Sequence, residues 1–343
     1  MTDPRDFDDN SDFDDDEFET HPYDSLTPDT VLNAVESLGY QTDARILPLN
    51  SYENRVYQVG IEDETPIIAK FYRPQRWSIE QILEEHQFAQ ELVDVEVPVV
   101  PATANSDGKT LHEWQGFQFA VYERKGGHAP ELDNLDHLLV IGRLMGRMHA
   151  LSKTKEFSHR PALDIESFGE QSRTFLLENQ FLPKELETAY DTLTRDLIAQ
   201  IRTAFSNFPA KSIRLHGDCH PGNILWRDDS AHFVDLDDAR SGPAVQDLWM
   251  LISGDRNQQT LQMSEILEGY QQFCDFDFTE LNLIEPLRTL RIMHYSAWLA
   301  RRWTDPAFPH NFPWFNSQRY WAEHILELRE QLSAMQEPAL TLF

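Results

Sequence analysis

The sequence predicts an α+β chain that opens with a small antiparallel sheet and continues into a larger, mainly helical part. Three observations carry this. Short β-branched and aromatic runs separated by turn residues occupy much of residues 44–122. Amphipathic repeats at helical spacing fill most of the chain after residue 133. Between Arg214 and Asp238 a Gly/Pro-punctuated loop runs into two apolar stretches around a polar turn: RLHGDCHPGNILW, RDDS, AHFVDLDD. At 343 residues there is room for two modest lobes or one large α/β domain, and 41% hydrophobic residues suffice for a packed core.

Charge and cysteine usage narrow the function classes. Of the formal charge of −29, about −9 falls in residues 1–20, where ten acids face Arg5 alone. Such a block cannot bury enough apolar area to offset chain entropy, so residues 1–22 are expected to form a disordered acidic tail. The acidic remainder argues against nucleic acid or an anionic membrane surface as partner and is compatible with a cationic substrate. No apolar run approaches a bilayer span, and no signal-peptide pattern opens the chain. Two cysteines, Cys219 and Cys274, do not make a disulfide framework and suit a reducing cytoplasm. Nothing demands more than a monomer.

Thr27-Pro28-Asp29 starts a helix with an N-cap, a proline at the first position and an acid; Gly39 stops it. Strands follow near Ala44–Leu47, Arg55–Gly60 and Pro66–Phe71. Ser78 and Gln81 form a capping-box pattern opening a helix over Ser78–Glu91, on which Ile82, Glu85, Ala89 and Leu92 share a face. An acid on the packed face needs a cation, and Lys70 at the end of the third strand is the candidate partner of Glu85. Glu84 rotates about 100° away, toward solvent. Pro-flanked Val97–Ala102 reads as extended, Thr110–Trp114 and Phe117–Tyr122 as further strands, and Glu123–Gly127 as a connector. Helices are expected over Asp133–Leu151, Leu186–Phe205, Thr260–Phe273, Leu281–Trp303 and Gln318–Met335, with His149 a structural histidine. Residues 158–183 read as irregular with one short helical piece, and Pro306–Trp314 as a packed aromatic loop. Arg288, Arg291, Arg301 and Arg302 stand out against the acidic background and are expected to pair with local acids; lining a substrate face is the other reading.

In the Arg214–Asp238 stretch, a turn centred near Asp228–Asp229 makes Ile224–Trp226 and His232–Leu236 a hairpin, which brings Asn223 and Asp235 to one end. Asp218 lies five residues before Asn223. An amide oxygen and two carboxylates at one rim suit Mg²⁺ and, outside the metal shell, a proton acceptor for a hydroxyl. Alternation alone does not choose among Asp235, Asp237 and Asp238, because Asp235 and Asp237 share a face along a strand. Cys219 inside this loop reads as a small filler. No Walker A motif, dinucleotide fingerprint or zinc-type Cys/His spacing occurs.

The run HGDCHPGN…VDLDD resembles the catalytic loop and metal-binding strand of the protein-kinase-like superfamily. In particular it resembles the aminoglycoside-phosphotransferase and choline-kinase branch, which has HGD where most eukaryotic protein kinases have HRD. Within that branch, LNSYENRVYQ, AKFYRPQRW, QILEEHQFAQEL and RRWTDPAFPHNFPW resemble bacterial serine/threonine protein kinases acting in stress response. The resemblance implies a bilobal protein-kinase-like fold, with a small lobe over residues 23–125 and a helical lobe over 126–343. It implies ATP as phosphoryl donor, Mg²⁺, Asp218 as base, and Asn223 with Asp235 on the metal. It further implies Lys70, anchored by Glu85, on the α/β-phosphates, Ser51 over the phosphates, Tyr122 and Glu123 as hinge contacts to adenine, and Asp247 holding the catalytic loop. A protein serine or threonine, including the chain's own, is the expected acceptor. A small alcohol (choline, homoserine or an aminoglycoside) and a catalytically silent binding scaffold are the alternatives.

Overall fold

The computed structural model describes residues 21–342; the expected acidic tail falls mostly outside the described residues. In order, the elements are α1 (Pro28–Glu36), β1 (Thr42–Pro48), β2 (Arg55–Ile61), β3 (Ile67–Phe71), α2 (Ile79–Asp94), β4 (His112–Trp114), β5 (Phe117–Glu123) and α3 (Leu135–Ser152). Then come α4 (Gln171–Glu178), α5 (Lys184–Asn207), β6 (Ile213–Leu215), β7 (Ile224–Arg227), β8 (Ser230–Phe233), β9 (Arg240–Gly242), α6 (Val245–Trp249), α7 (Arg256–Tyr270), α8 (Ile284–Arg301), α9 (Ala307–Asn311) and α10 (Gln318–Ala334). This is the expected α+β, two-lobed architecture.

The small lobe is an antiparallel sheet in the order β1-β2-β3-β5-β4. Its apolar face, with Val59, Ala69, Phe71, Phe119 and Val121, packs under α1. Both expected caps form: the Thr27 hydroxyl accepts from the Thr30 N–H at 3.2 Å, and Ser78 and Gln81 close the capping box of α2. The second face of α2 reaches down. Phe88, Ala89 and Leu92 join the core of the large lobe, together with α3, α7 and the β7–β8 hairpin. The extended segment expected at Val97–Ala102 runs along the edge of β8, with the Phe233 N–H donating to the Pro98 carbonyl at 2.8 Å. Helix α2 and this segment thus join the small sheet to the large lobe.

The large lobe is helical, with a second core joining α4, α5, α8, α9 and α10. Residues 158–183 hold more order than their composition suggests, because a wide turn at Glu166–Glu170 runs straight into α4. The expected Pro306–Trp314 loop contains α9 and buries Phe308 and Phe312, so it is indeed a packed aromatic element. Strand β9 was not foreseen; it is three residues long and exists because β6 pairs with it.

One buried acid gives this lobe a pH-dependent stability. Glu280 accepts from the Val245 N–H at 2.9 Å, and burial pushes its carboxyl up from 4.5 to about 7. The folded form therefore holds a proton that the unfolded chain has lost between these values. The contribution is full below pH 4.5 and is lost as pH rises through 7. Glu280→Gln keeps the acceptor oxygen and removes the titration. The melting temperature of the variant is expected to fall less than that of the parent between pH 5 and pH 8; parallel slopes would refute the assignment.

Candidate active site

Strand β6 delivers His216, Gly217 and Asp218 into the cleft. Asp247, wholly buried on α6, holds that turn: its carboxylate accepts from the N–H of His216 at 2.8 Å and of Gly217 at 2.9 Å. His149 donates to the same carboxylate at 3.1 Å and meets the Tyr270 hydroxyl through its other nitrogen, also at 3.1 Å. Both residues are structural, as expected from sequence. Gly217 has φ +87°, and a Cβ there would stand 2.1 Å from the Asp238 carbonyl oxygen. Only glycine permits this backbone and this approach. Cys219 is fully buried, and burial pushes its thiol far above the ordinary range, which suits a filler rather than a nucleophile.

The hairpin forms as expected, with Asp228 and Asp229 at φ 52° and 55° in the turn. Its register pairs Ile224 with Phe233, and the Val234 N–H donates to the Asn223 carbonyl at 3.0 Å. Asn223 and Asp235 therefore lie at one end. The Asn223 amide nitrogen donates to the Asp218 carbonyl at 2.9 Å, leaving its amide oxygen for another partner. Strand β8 stops at Phe233, short of the expected Leu236, and Asp235 takes a left-handed conformation with φ 60° and ψ 65°. Aspartate is one of the few side-chain-bearing residues that tolerate this region. The kink also separates the aspartates that a continuous strand would have kept on one face: the Asp235 side chain is 53% exposed, that of Asp237 only 4%.

From the small lobe, β3 places Lys70 with its Nζ 3.0 Å from Asp235 Oδ1 and 3.1 Å from Asp237 Oδ1. Burial disfavours the Lys70 charge, but Asp235 and Asp237 outweigh it and hold its pKa well above the ordinary value. The expected Lys70–Glu85 ion pair is not formed: the two paired carboxylates of the large lobe lie nearer the ammonium. Glu85 is buried on α2, makes no described hydrogen bond, and is pushed up by that burial toward its neutral form. Glu84, expected in solvent, instead accepts from the N–H groups of Ser158 at 2.5 Å, His159 at 2.8 Å and Arg160 at 2.7 Å. Arg160 then donates to the Ala239 carbonyl at 2.7 Å and to that of Asp237. Helix α2 thus braces the Asp237–Ala239 turn through one carboxylate and one guanidinium. Arg76 adds ion pairs to Asp237 and, at 2.9 Å, to Asp238, holding the Asp237 carboxyl down despite its burial.

Sequence reasoning missed two further features. Arg291 of α8 pairs with Asp218 itself, Nη1 to Oδ1 at 2.7 Å, not with a local acid. Of the four arginines, Arg288 alone takes the expected local partner, Glu285 at 3.6 Å. The second feature ties the β1–β2 loop to the large lobe. Glu53 accepts from Trp298 Nε1 at 2.6 Å and pairs with Arg302 at 2.8 Å, while Asp305 receives Arg73, Arg55 at 3.4 Å and His21 at 2.9 Å. Contacts between residues some 250 positions apart leave no periodic signal. Ser51 lies in the same loop, its hydroxyl donating to the Asn54 carbonyl at 3.2 Å. Tyr122 and Glu123 end β5 at the lobe junction, the Tyr122 hydroxyl 2.9 Å from that of Tyr72 and Glu123 paired with Lys125 at 2.8 Å.

This fold and this cleft define a phosphotransferase of the protein-kinase-like superfamily. The chain belongs to the phosphotransferase enzyme family APH, whose model matches residues 45–284. It is 48% identical over 320 residues to Stress response kinase A of Escherichia coli, covering 93% of this chain and 97% of that one. It is 44% identical over 324 residues to the Serine/threonine protein kinase RdoA of Salmonella typhimurium, with the same coverages. Among solved structures, an amicoumacin kinase superposes with a TM-score of 0.72 at 19% identity, covering 92% of this chain and 95% of that one. No described helix is long and apolar enough to cross a membrane.

Proposed function

We propose that the chain is an ATP- and Mg²⁺-dependent serine/threonine protein kinase of the bacterial stress response, acting as a cytoplasmic monomer. The convergence of Asp218, Asn223 and Asp235 beneath Lys70 carries the reading, and the relatives at 44–48% identity supply the acceptor class. The lobes divide at the connector after Glu123, the small one spanning 23–125 and the large one 126–343.

The donor set fits Mg²⁺: Asn223 offers an amide oxygen and Asp235 an exposed carboxylate, both hard ligands. Mg²⁺ characteristically takes one or two protein oxygens and completes its shell with phosphate and water. When bound, the ion supplies charge neutralisation across the phosphates. Lys70 grips the α/β-phosphates, held forward by Asp235 and Asp237, with Glu85 buried on α2 nearby. Ser51 and its loop cover the phosphates, and the β5 end at Tyr122 and Glu123 borders the adenine. Asp218 orients the acceptor hydroxyl and takes its proton. Positioning and electrostatics do nearly all the work in such a transfer.

Incubation with labelled ATP is expected to put phosphoserine or phosphothreonine on the chain or on a generic protein. Failure there, with turnover of a small alcohol, would overturn the acceptor. ATP binding indifferent to Mg²⁺ would favour a silent scaffold instead. Because Glu53 anchors the covering loop to α8, Glu53→Gln is expected to raise KM for ATP roughly tenfold, as loss of a charged hydrogen-bonded partner does, with a smaller change in kcat. A fall in kcat at constant KM would refute the role of the loop.

A further inference from the structure

A cavity of about 320 Å³ lies between α2, residues 155–159 and β6, and no residue assigned above to catalysis or nucleotide binding lines it. Arg214 of β6 forms part of its wall and is only 2% exposed. The guanidinium carbon lies 4.6 Å from the ring centre of Phe88 and 5.6 Å from that of Phe157. Nη1 pairs with Glu91 at 2.6 Å, whereas Nε and Nη2 have no hydrogen-bond partner among the described residues. Those two N–H groups make up one edge of the guanidinium, the edge that takes a carboxylate or a phosphate as a fork. The aromatic contacts hold the plane in place. Buried donors are nearly always paired, and an orphaned edge points to a water, ion or ligand that completes it.

Two more basic side chains border the same cavity, Lys155 and His159, both exposed. Lys155 gives one N–H to Glu91 at 2.7 Å and keeps two, and the His159 ring makes no described hydrogen bond. Most of the nearby acid is already occupied. Glu84 is filled by the three backbone N–H groups of residues 158–160, and Glu91 by Arg214, Lys155 and Gln87. Glu80 and Glu156 stand exposed at the rim, where water screens them. Three basic groups against one anion favour phosphate over a carboxylate, and exposed Leu83 offers an apolar surface for an attached organic body. The walls also lead to the reaction centre. Glu84 ties α2 to residues 158–160, Arg160 holds the Asp237 and Ala239 carbonyls, and Arg214 precedes Asp218 by four residues.

We propose that this cavity is an effector site for a small phosphate monoester, held by Arg214, Lys155 and His159. The ligand bridges α2 and β6, so it binds best when Glu84 is bonded to residues 158–160 and Arg160 holds the Asp237–Ala239 turn. It therefore shifts the population toward the assembled metal side of the cleft. Binding stands apart from the kinase reading above; only the effect on rate rests on it.

The test is thermal unfolding of the full chain, with Mg²⁺ and ADP saturating the cleft, titrated with phenyl phosphate, inorganic phosphate or benzoate. The melting temperature is expected to rise with phenyl phosphate, less with inorganic phosphate and least with benzoate, as binding to the folded form alone requires. Arg214→Gln is expected to weaken binding by at least roughly tenfold, as removal of a buried charged partner does. Lys155→Gln, an exposed change that spares the fold, is expected to weaken it roughly two- to fivefold. In the parent, phenyl phosphate is also expected to lower the Mg²⁺ concentration for half-maximal phosphoryl transfer by roughly threefold. No melting shift with either phosphate, or a shift unchanged in both variants, overturns the site. A benzoate shift equal to that of phenyl phosphate overturns the phosphate class. An unchanged Mg²⁺ requirement with the ligand bound overturns the coupling. Failure of the kinase reading shows differently, as absent phosphoryl transfer with the melting shift and its loss in the variants intact.

Discussion

Asp218→Ala is expected to lower turnover by at least roughly 10²–10⁴-fold, the range that a positioned proton acceptor supplies. The fold should survive. The loop is held by Asp247 through the His216 and Gly217 amides, not by the Asp218 carboxylate. The partner left behind, Arg291, is solvent-accessible, so the loss of the pair costs stability only about 1 kcal/mol or less. A rate assay with a melting curve on the same sample reads both quantities. An active, folded Asp218→Ala protein would remove the base from the mechanism.

The second large effect separates two neighbouring aspartates. Asp235→Asn is expected to weaken the Mg²⁺ dependence of the rate strongly while leaving stability near that of the parent, because the side chain is half exposed and can be hydrated. Asp237→Asn should behave in the opposite sense. Asp237 is buried against Lys70 and Arg76, and removing its charge takes the most deeply buried carboxylate from both cations, leaving them only the more exposed Asp235 and Asp238. Breaking one partner out of a buried pair costs about 3–5 kcal/mol. The decisive measurement is an Mg²⁺ titration of both variants beside their melting temperatures. Equal shifts in the two would mean that the left-handed turn at Asp235 does not sort the carboxylates as described.

What was legible in the sequence was local. The α1 and α2 caps, the Asp228–Asp229 turn and the Asn223–Asp235 end of the hairpin follow from residues within a few positions of one another, where turn chemistry and periodicity act directly. Asp247 and Lys70 were legible through resemblance, since each ends or begins a recognisable run. Charge pairing across the cleft was not. Glu85 lost its expected lysine to two carboxylates about 150 residues later, Glu84 found backbone amides where solvent was expected, and Arg291 reached Asp218 rather than a neighbour on its own helix. Helical phase tells which way a side chain faces; it does not tell which of several opposite charges will be nearest once the lobes meet. Strand β9 was invisible for a similar reason: three residues carry no period, and only its partner β6 makes it a strand.

The single glycine of HGD sets a boundary on how this site can change. Any side chain at position 217 would meet the Asp238 carbonyl at 2.1 Å and would need a backbone that side-chain-bearing residues rarely adopt. An arginine there, as in the HRD of most eukaryotic protein kinases, is therefore not one substitution away. It would require the Asp237–Ala239 turn to retreat first, and that turn is pinned by Arg76, Arg160 and Arg240. Mutational libraries at this position should therefore return glycine almost exclusively.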